Sequence, residues 1–223
     1  MSIKSKAFAV AATMTMVGGV SAVGLMSAQA STPSCNGSGF GPLSNCVTTY
    51  GDEYGQSFVL DVYKQGEQVG THVILYRASN SDPAEDFTYA AQGLVSTFVT
   101  DQLASPAFGI NYGPDQAFEL EYSPYGVDSG LCVGVGSTAT DGTPVALEAC
   151  GASSKTLLVW ANGKNSALIN GSDTNFSHPY VLNYPGYSYP TDEPRPQLTT
   201  WTLSKYSGGA VYDNQLWNQN SFS

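Results

Sequence analysis

Three times along this 223-residue chain an apolar-alternating run is followed by two more short apolar runs and then by an aromatic terminus. The clearest copy is Leu131–Trp160, where Leu131-Cys132-Val133-Gly134-Val135 and Val145-Ala146-Leu147 are separated by Gly and Thr residues and by Asp141-Gly142. Those separators supply turn chemistry, so the pair reads as a hairpin with a long loop. On one side stand Phe58–Val62, Gly70–Tyr76 and the aromatics Phe87 and Tyr89; on the other stand Tyr180–Tyr184, Leu198–Leu203 and Asn214–Trp217. Each copy is preceded by one more such run, at Cys46–Tyr50, Phe118–Tyr122 and Ala167–Asn170. A unit of about four strands has no partner for its own apolar face, whereas three units closed around one axis bury a shared core.

The first 30 residues differ in kind. Lys4 and Lys6 precede a small-residue apolar run from Ala7 to Met26, and Ala28-Gln29-Ala30 follows it. This pattern predicts a secretory signal peptide over 1–30, cleaved to leave a mature chain that begins at Ser31 and is secreted, extracellular. A membrane anchor is the competing reading, since the run approaches spanning length. Gly18, Gly19 and Gly24 weaken it. Residues 31–44, rich in Ser, Gly and Pro, read as an arm without a core of its own. From residue 45 to 223 the pattern is that of one all-β domain, with no helical periodicity. An insertion at about 90–116 contains Leu94–Val99 and Ala107–Tyr112, which admit either a strand pair or a packed surface loop. The Tyr184–Pro190 stretch is a second excursion, rich in Tyr and Pro.

Removing Lys4 and Lys6 with the leader leaves six basic residues against 18 acidic ones. Such a surface repels phosphate backbones and anionic lipid, so neither nucleic acid nor, after signal cleavage, a membrane is expected as a partner. All four cysteines lie beyond residue 30, and an oxidising destination makes disulfides their expected state. An antiparallel hairpin brings Cys132 and Cys150 within bridging distance, which leaves Cys35 and Cys46 to pin the arm. Each bridge is worth about 3 kcal/mol. Zinc is not expected, because no close Cys-x-x-Cys pair exists and His72 and His178 are far apart.

The units resemble the ricin-type lectin β-trefoil. The middle unit carries the likeness through Leu131-Cys132-Val133, Gly142-Thr143-Pro144-Val145-Ala146-Leu147, Cys150 and Trp160; the first through Leu60-Asp61-Val62 and Gly70-Thr71-x-Val73-x-Leu75-Tyr76; the third through Gln215-Leu216-Trp217. Coverage runs from about Asn45 to Trp217. The resemblance implies an all-β β-trefoil with three pseudo-repeats and a carbohydrate site within each unit. In the family such a site takes an Asp from the first strand, an aromatic at the end of the second and an Asn just before the Gln of Gln-x-Trp. Sugars stack an apolar ring face on the aromatic and exchange hydrogen bonds with the carboxylate and amide.

Carried onto this chain, the first site consists of Asp61, Tyr76 and Asp86, the last standing in for Asn with Glu85 beside it. The middle unit has Gly134, Glu148 and Leu157 at the three places and serves the scaffold only. The third has Asn183, Asn214 and Gln215, with no aromatic at the stacking place unless Tyr206 reaches it. Trp160 and Trp217 are expected to plug the barrel, and Trp201, alternating with Leu203, to lie in the core. His72 and His178 read as surface or turn residues. The Asp82–Asp86 acids read as a solvated loop, since calcium there would lack the Asp-x-Asp-x-Asp-Gly pattern.

No Gly-x-Ser-x-Gly, His-Glu-x-x-His or P-loop occurs. The expected function is therefore a secreted, non-catalytic carbohydrate-binding protein for a glycan or polysaccharide, with no cofactor and no metal. The alternative is a β-trefoil with decayed sugar sites that presents its loops to a protein target, as an inhibitor does.

Overall fold

In the computed structural model the described residues are 46–51, 58–79, 82–161, 166–185, 197–205 and 207–221. The expected leader over 1–30, the arm over 31–44 with Cys35, and Tyr206 lie outside them, and so does the side chain of Cys46. The expected Cys35–Cys46 bridge therefore lies outside the described residues.

Every apolar-alternating run named above is a strand. The first unit comprises β1 (Cys46–Gly51), β2 (Phe58–Val62), β3 (Val73–Arg77) and β4 (Phe87–Leu94). The second comprises β5 (Gln116–Tyr122), β6 (Leu131–Val135), β7 (Val145–Ala149) and β8 (Leu157–Trp160). The third comprises β9 (Leu168–Asn170), β10 (Tyr180–Asn183), β11 (Thr199–Thr202) and β12 (Trp217–Ser221). In each unit the two middle strands form an antiparallel hairpin. The outer strands pair around a ring, β1 with β4, β4 with β5, β5 with β8, β8 with β9 and β12 with β1. A bridge between Ser166 and Trp217 closes it, leaving the barrel no free edge.

The three hairpins meet at one end. Thr71 O accepts from Leu147 N at 2.9 Å, Thr143 O from Thr200 N at 2.8 Å and Val73 O from Leu198 N at 2.9 Å. Each hairpin thus bonds to the next and the last returns to the first. Twelve strands as a six-stranded barrel with a cyclic cap of three hairpins make this a β-trefoil with three pseudo-repeats.

Alternation along the hairpins divides their residues cleanly. Leu60, Val62, Val73 and Leu75 from the first, Val133, Val135, Val145 and Leu147 from the second, and Leu182 and Leu198 from the third join one buried cluster with Phe87, Leu158 and Trp217. The last three begin or nearly begin β4, β8 and β12 and face the equivalent barrel partners Tyr122, Asn170 and Gly51. Leu158, not Trp160, therefore fills the plug position of the middle unit. Trp160 is half-buried and packs against the edge of the cluster, because strand alternation puts it two residues beyond the plug.

The expected Cys132–Cys150 disulfide is present, with Cα atoms 5.0 Å apart. It forms because β6 and β7 hold Leu131 opposite Ala149, one residue from each sulfur.

The insertion is neither a strand pair nor an irregular loop. Its ends extend β4 and β5, and between them lie two helices, α1 (Val95–Thr100) and α2 (Pro106–Tyr112). Ser105 caps α2 by accepting from Phe108 N at 3.1 Å, with Pro106 at the first position, a start signal written in the sequence. Val95, Phe98 and Phe108 bury themselves against Val159, Ile169 and Val181 in a second apolar cluster. Six- and seven-residue helices are too short to display a 3.6-residue period. Among the described residues, no helix is long and apolar enough to cross a membrane.

The plug positions make the two tryptophans distinguishable by stability. Trp217→Ala is expected to cost about 3–5 kcal/mol in urea unfolding, and Trp160→Ala less than half of that.

Candidate functional site

Because Leu60 and Leu75 face the core, their neighbours along each strand face away from it. In the first hairpin Asp61 opposes Ile74 and Val59 opposes Tyr76, so Asp61 and Tyr76 share the outward face. The third hairpin repeats the register: Asn183 opposes Thr199 and Val181 opposes Trp201. Asn183 therefore stands where Asp61 does, and Trp201 where Tyr76 does. In the middle unit Gly134 and Glu148 hold these two places, and the expected loss of its polar set agrees with the register.

Trp201 is thus not a core residue. It is 44% exposed and lines a cavity of about 240 Å³ with Asn183, Ser204, Tyr212, Asn214 and Gln215. The third hairpin turns polar Thr200 inward, where its hydroxyl donates to Thr140 O at 2.7 Å, and turns Trp201 outward. This inverted polarity made the Trp201–Leu203 alternation look like a core face. The neighbouring unit braces the indole's strand: Asp141 Oδ1 accepts from Thr202 N at 2.6 Å and from its hydroxyl at 2.8 Å.

The cavity floor is amide. Asn214 Nδ2 donates to Asn183 Oδ1 at 3.1 Å and to Tyr184 O at 3.0 Å. Gln215 is committed to the fold: its Oε1 accepts from Ser204 N at 2.8 Å and its Nε2 donates to Thr202 O at 3.1 Å. It pins the 3-10 turn Asp213–Gln215 to the end of β11 and thereby sets Asn214 beside Asn183. Tyr212, 38% exposed, supplies a second aromatic edge. Two aromatics over neutral amides suit a neutral ring with an apolar face and several hydroxyls.

The first unit fills the same positions with different, largely buried residues. The 3-10 turns Pro83–Glu85 and Asp213–Gln215 each end two residues before a plug aromatic, Phe87 or Trp217. Glu85 is therefore the counterpart of Gln215, Ala84 of Asn214 and Asp82 of Tyr212. The hydrogen bonds agree: Ser79 N donates to both Glu85 oxygens at 2.9 and 3.0 Å, as Ser204 N donates to Gln215.

Asp86 does not stand in for Asn. It is fully buried, and its Oδ2 accepts from Tyr125 N at 3.2 Å. The Asp82–Asp86 segment is likewise not a solvated loop. Pro83, Ala84 and Glu85 are buried because the turn packs on β2 and covers Asp61, itself only 3% exposed. Leu157 also shifts: the middle unit's turn, Ser154–Thr156, puts Lys155 in the place of Asn214. His72 and His178 are exposed, as expected.

Carboxylate oxygens of Asp61, Asp82 and Glu85 all lie within 4.8 Å of one another. Burial pushes the Glu85 carboxyl up to about 8; the Ser79 N–H opposes this, and the charges of Asp61, Asp82 and Asp86 add to it. At neutral pH Glu85 thus holds a proton and resembles the glutamine at the equivalent place.

No family model matches this chain, and no curated protein matches it. Among solved structures, the designed threefold-symmetric protein ThreeFoil is 19% identical with a TM-score of 0.51, over 78% of this chain and 96% of its own. An exo-β-1,3-galactanase from Clostridium thermocellum is 12% identical with a TM-score of 0.52, over 81% of this chain and 31% of the enzyme. At such identities the shared property is the fold. A designed threefold-symmetric relative agrees with the three units found here.

Between pH 4.5 and about 8 the native protein keeps on Glu85 a proton that the unfolded chain has released, so stability falls as pH rises across that interval. Thermal melts in chelator are expected to lose midpoint temperature from pH 5 to 8.5, and Glu85→Gln to flatten that decline.

Proposed function

We propose that this chain is a secreted, non-catalytic lectin of the ricin type that binds a neutral saccharide in its third unit. The observation that carries the reading is the half-exposed Trp201 indole beside the Asn183–Asn214 amide pair. Stacking on the indole removes apolar surface from water, and the amides offer donors and acceptors to adjacent hydroxyls. A cavity of about 240 Å³ suits one sugar ring rather than a larger ligand, since drug-sized pockets begin at about 300 Å³. Among the described residues the lining includes no carboxylate, whereas glycoside hydrolysis takes an acid pair. Secretion rests on the leader-like residues 1–30. A single shallow site binds weakly, and retention on a glycan surface gains from several copies acting together.

A protein target is the second reading. It is favoured by α2, whose Ile110 is 84% exposed on an insertion outside the repeat.

Retention on immobilised polysaccharides and a glycan array tests the first reading. Trp201→Ala is expected to lower retention at least tenfold at unchanged melting temperature, Trp201→Tyr to restore part of it, and Asp61→Asn to leave it intact. Wild-type protein that no glycan retains would remove the lectin reading; retention indifferent to Trp201→Ala would remove the third-unit site.

A further inference from the structure

The loop that joins β6 to β7 in the second unit lies against the strand that carries Trp201. Gly142 N donates to Thr200 O at 2.9 Å, and Thr143 O accepts from Thr200 N at 2.8 Å. Thr140 O accepts from the Thr200 hydroxyl at 2.7 Å. A Cβ added at Gly142 would stand 3.9 Å from Trp201 Cζ3, so the loop reaches the indole itself. We propose that Asp141 of this loop is a positioning residue for the third-unit saccharide site, holding Trp201 in the orientation that stacking requires. The inference rests on the saccharide reading above and extends that site across a unit boundary.

The preceding unit boundary keeps the same backbone bonds without the brace. There Gly70 N donates to Leu147 O at 2.8 Å, and Thr71 O accepts from Leu147 N at 2.9 Å. Gly70 and Thr71 thus match Gly142 and Thr143, and Leu147 matches Thr200. By the same count Val69 stands where Asp141 does, and Ala149 where Thr202 does. The side chains of valine and alanine neither donate nor accept hydrogen bonds. At the boundary with β11 the two places are joined instead: Asp141 Oδ1 accepts from Thr202 N at 2.6 Å and from Thr202 Oγ1 at 2.8 Å. The outward residue one place earlier is Glu148 in the second unit and the half-exposed Trp201 in the third. The added bonds therefore accompany the aromatic.

β11 is four residues long, ends at Thr202 and lies at the margin of the sheet, where strand ends open most readily. Thr202 is fixed from two sides. Asp141 holds its N–H and hydroxyl, and its carbonyl accepts from Gln215 Nε2 at 3.1 Å. With the chain held at the residue after Trp201, a sugar meets an indole already oriented over Asn183 and Asn214. Less ordering entropy is then lost on binding.

Glycan retention and the emission of Trp201, taken as the difference between wild-type protein and Trp201→Ala, test the proposal on the full chain. Asp141→Ala is expected to weaken retention about three- to tenfold, the range set by ordering one side chain on binding, and to lower the Trp201 fluorescence anisotropy. Asp141→Asn keeps an oxygen for Thr202 and should stay near wild type in both measurements. Asp141 is exposed, so both variants are expected to fold, with melting temperatures as the check. Wild-type retention in Asp141→Ala beside a loss in Trp201→Ala would overturn the proposal and leave the saccharide reading in place. An equal loss in Asp141→Asn would also overturn it, since the carboxylate charge and not the bond to Thr202 would then matter. Wild-type protein that no glycan retains would remove the saccharide reading, and unchanged Trp201 anisotropy in Asp141→Ala would overturn the positioning role whatever the glycans show.

Discussion

Each hairpin of this protein has apolar side chains on one face only, and nothing within its own unit covers them. Leu60, Leu75, Val133, Leu147 and Leu182 leave water only when three hairpins close over a barrel plugged by Phe87, Leu158 and Trp217. Burial of each such side chain is worth about 1.5–3 kcal/mol, but it is collected only after the ring closes. The cyclic hydrogen bonds from Leu147 to Thr71, Thr200 to Thr143 and Leu198 to Val73 hold that closure in register. A slip of one residue in any hairpin would turn its leucines outward and its polar residues in.

Closure leaves the outward faces free to diverge. The middle unit spends its face on the Cys132–Cys150 bridge and on Gly134. The third carries two aromatics over neutral amides, and the first carries three carboxylates on the same scaffold positions. In the first and third units the turn before the plug residue sets this chemistry, since its last residue ties back to the end of the hairpin. Gln215 does so with one accepted and one donated bond, and Glu85 does so by accepting twice from Ser79. One exchange of amide for carboxylic acid thus leaves the backbone alike while making that place titratable.

Much of the fold was legible because strand alternation and turn residues are local. The runs at Phe58–Val62, Leu131–Val135 and Tyr180–Asn183 became strands with the expected faces, and Cys132 met Cys150 across a hairpin. Site residues were harder. Trp201 reads as core from sequence because Thr200, its inward neighbour, is polar, and no Gly-Thr pair marks the turn before β11. Matching Leu198 to Val73 would have aligned Trp201 with Tyr76. The first unit has no Gln-x-Trp to anchor the count, so Asp86 lies two residues beyond Ala84, the true counterpart of Asn214. The helices of the insertion carried one readable sign, Ser105-Pro106, too short a signal to outweigh the β-rich residues around it.

The chain by itself determined the threefold repetition, the all-β class and one disulfide, since each follows from periodicity or spacing within a few tens of residues. Only the tertiary structure decided that Trp201, Tyr212 and Asn183 face one cavity, that Asp61, Asp82 and Glu85 crowd together, and that Leu158 rather than Trp160 plugs the barrel. Those facts depend on which strand pairs with which and in what register. Register is set by closing the whole ring, a balance of burial over all three units that no single stretch of sequence contains.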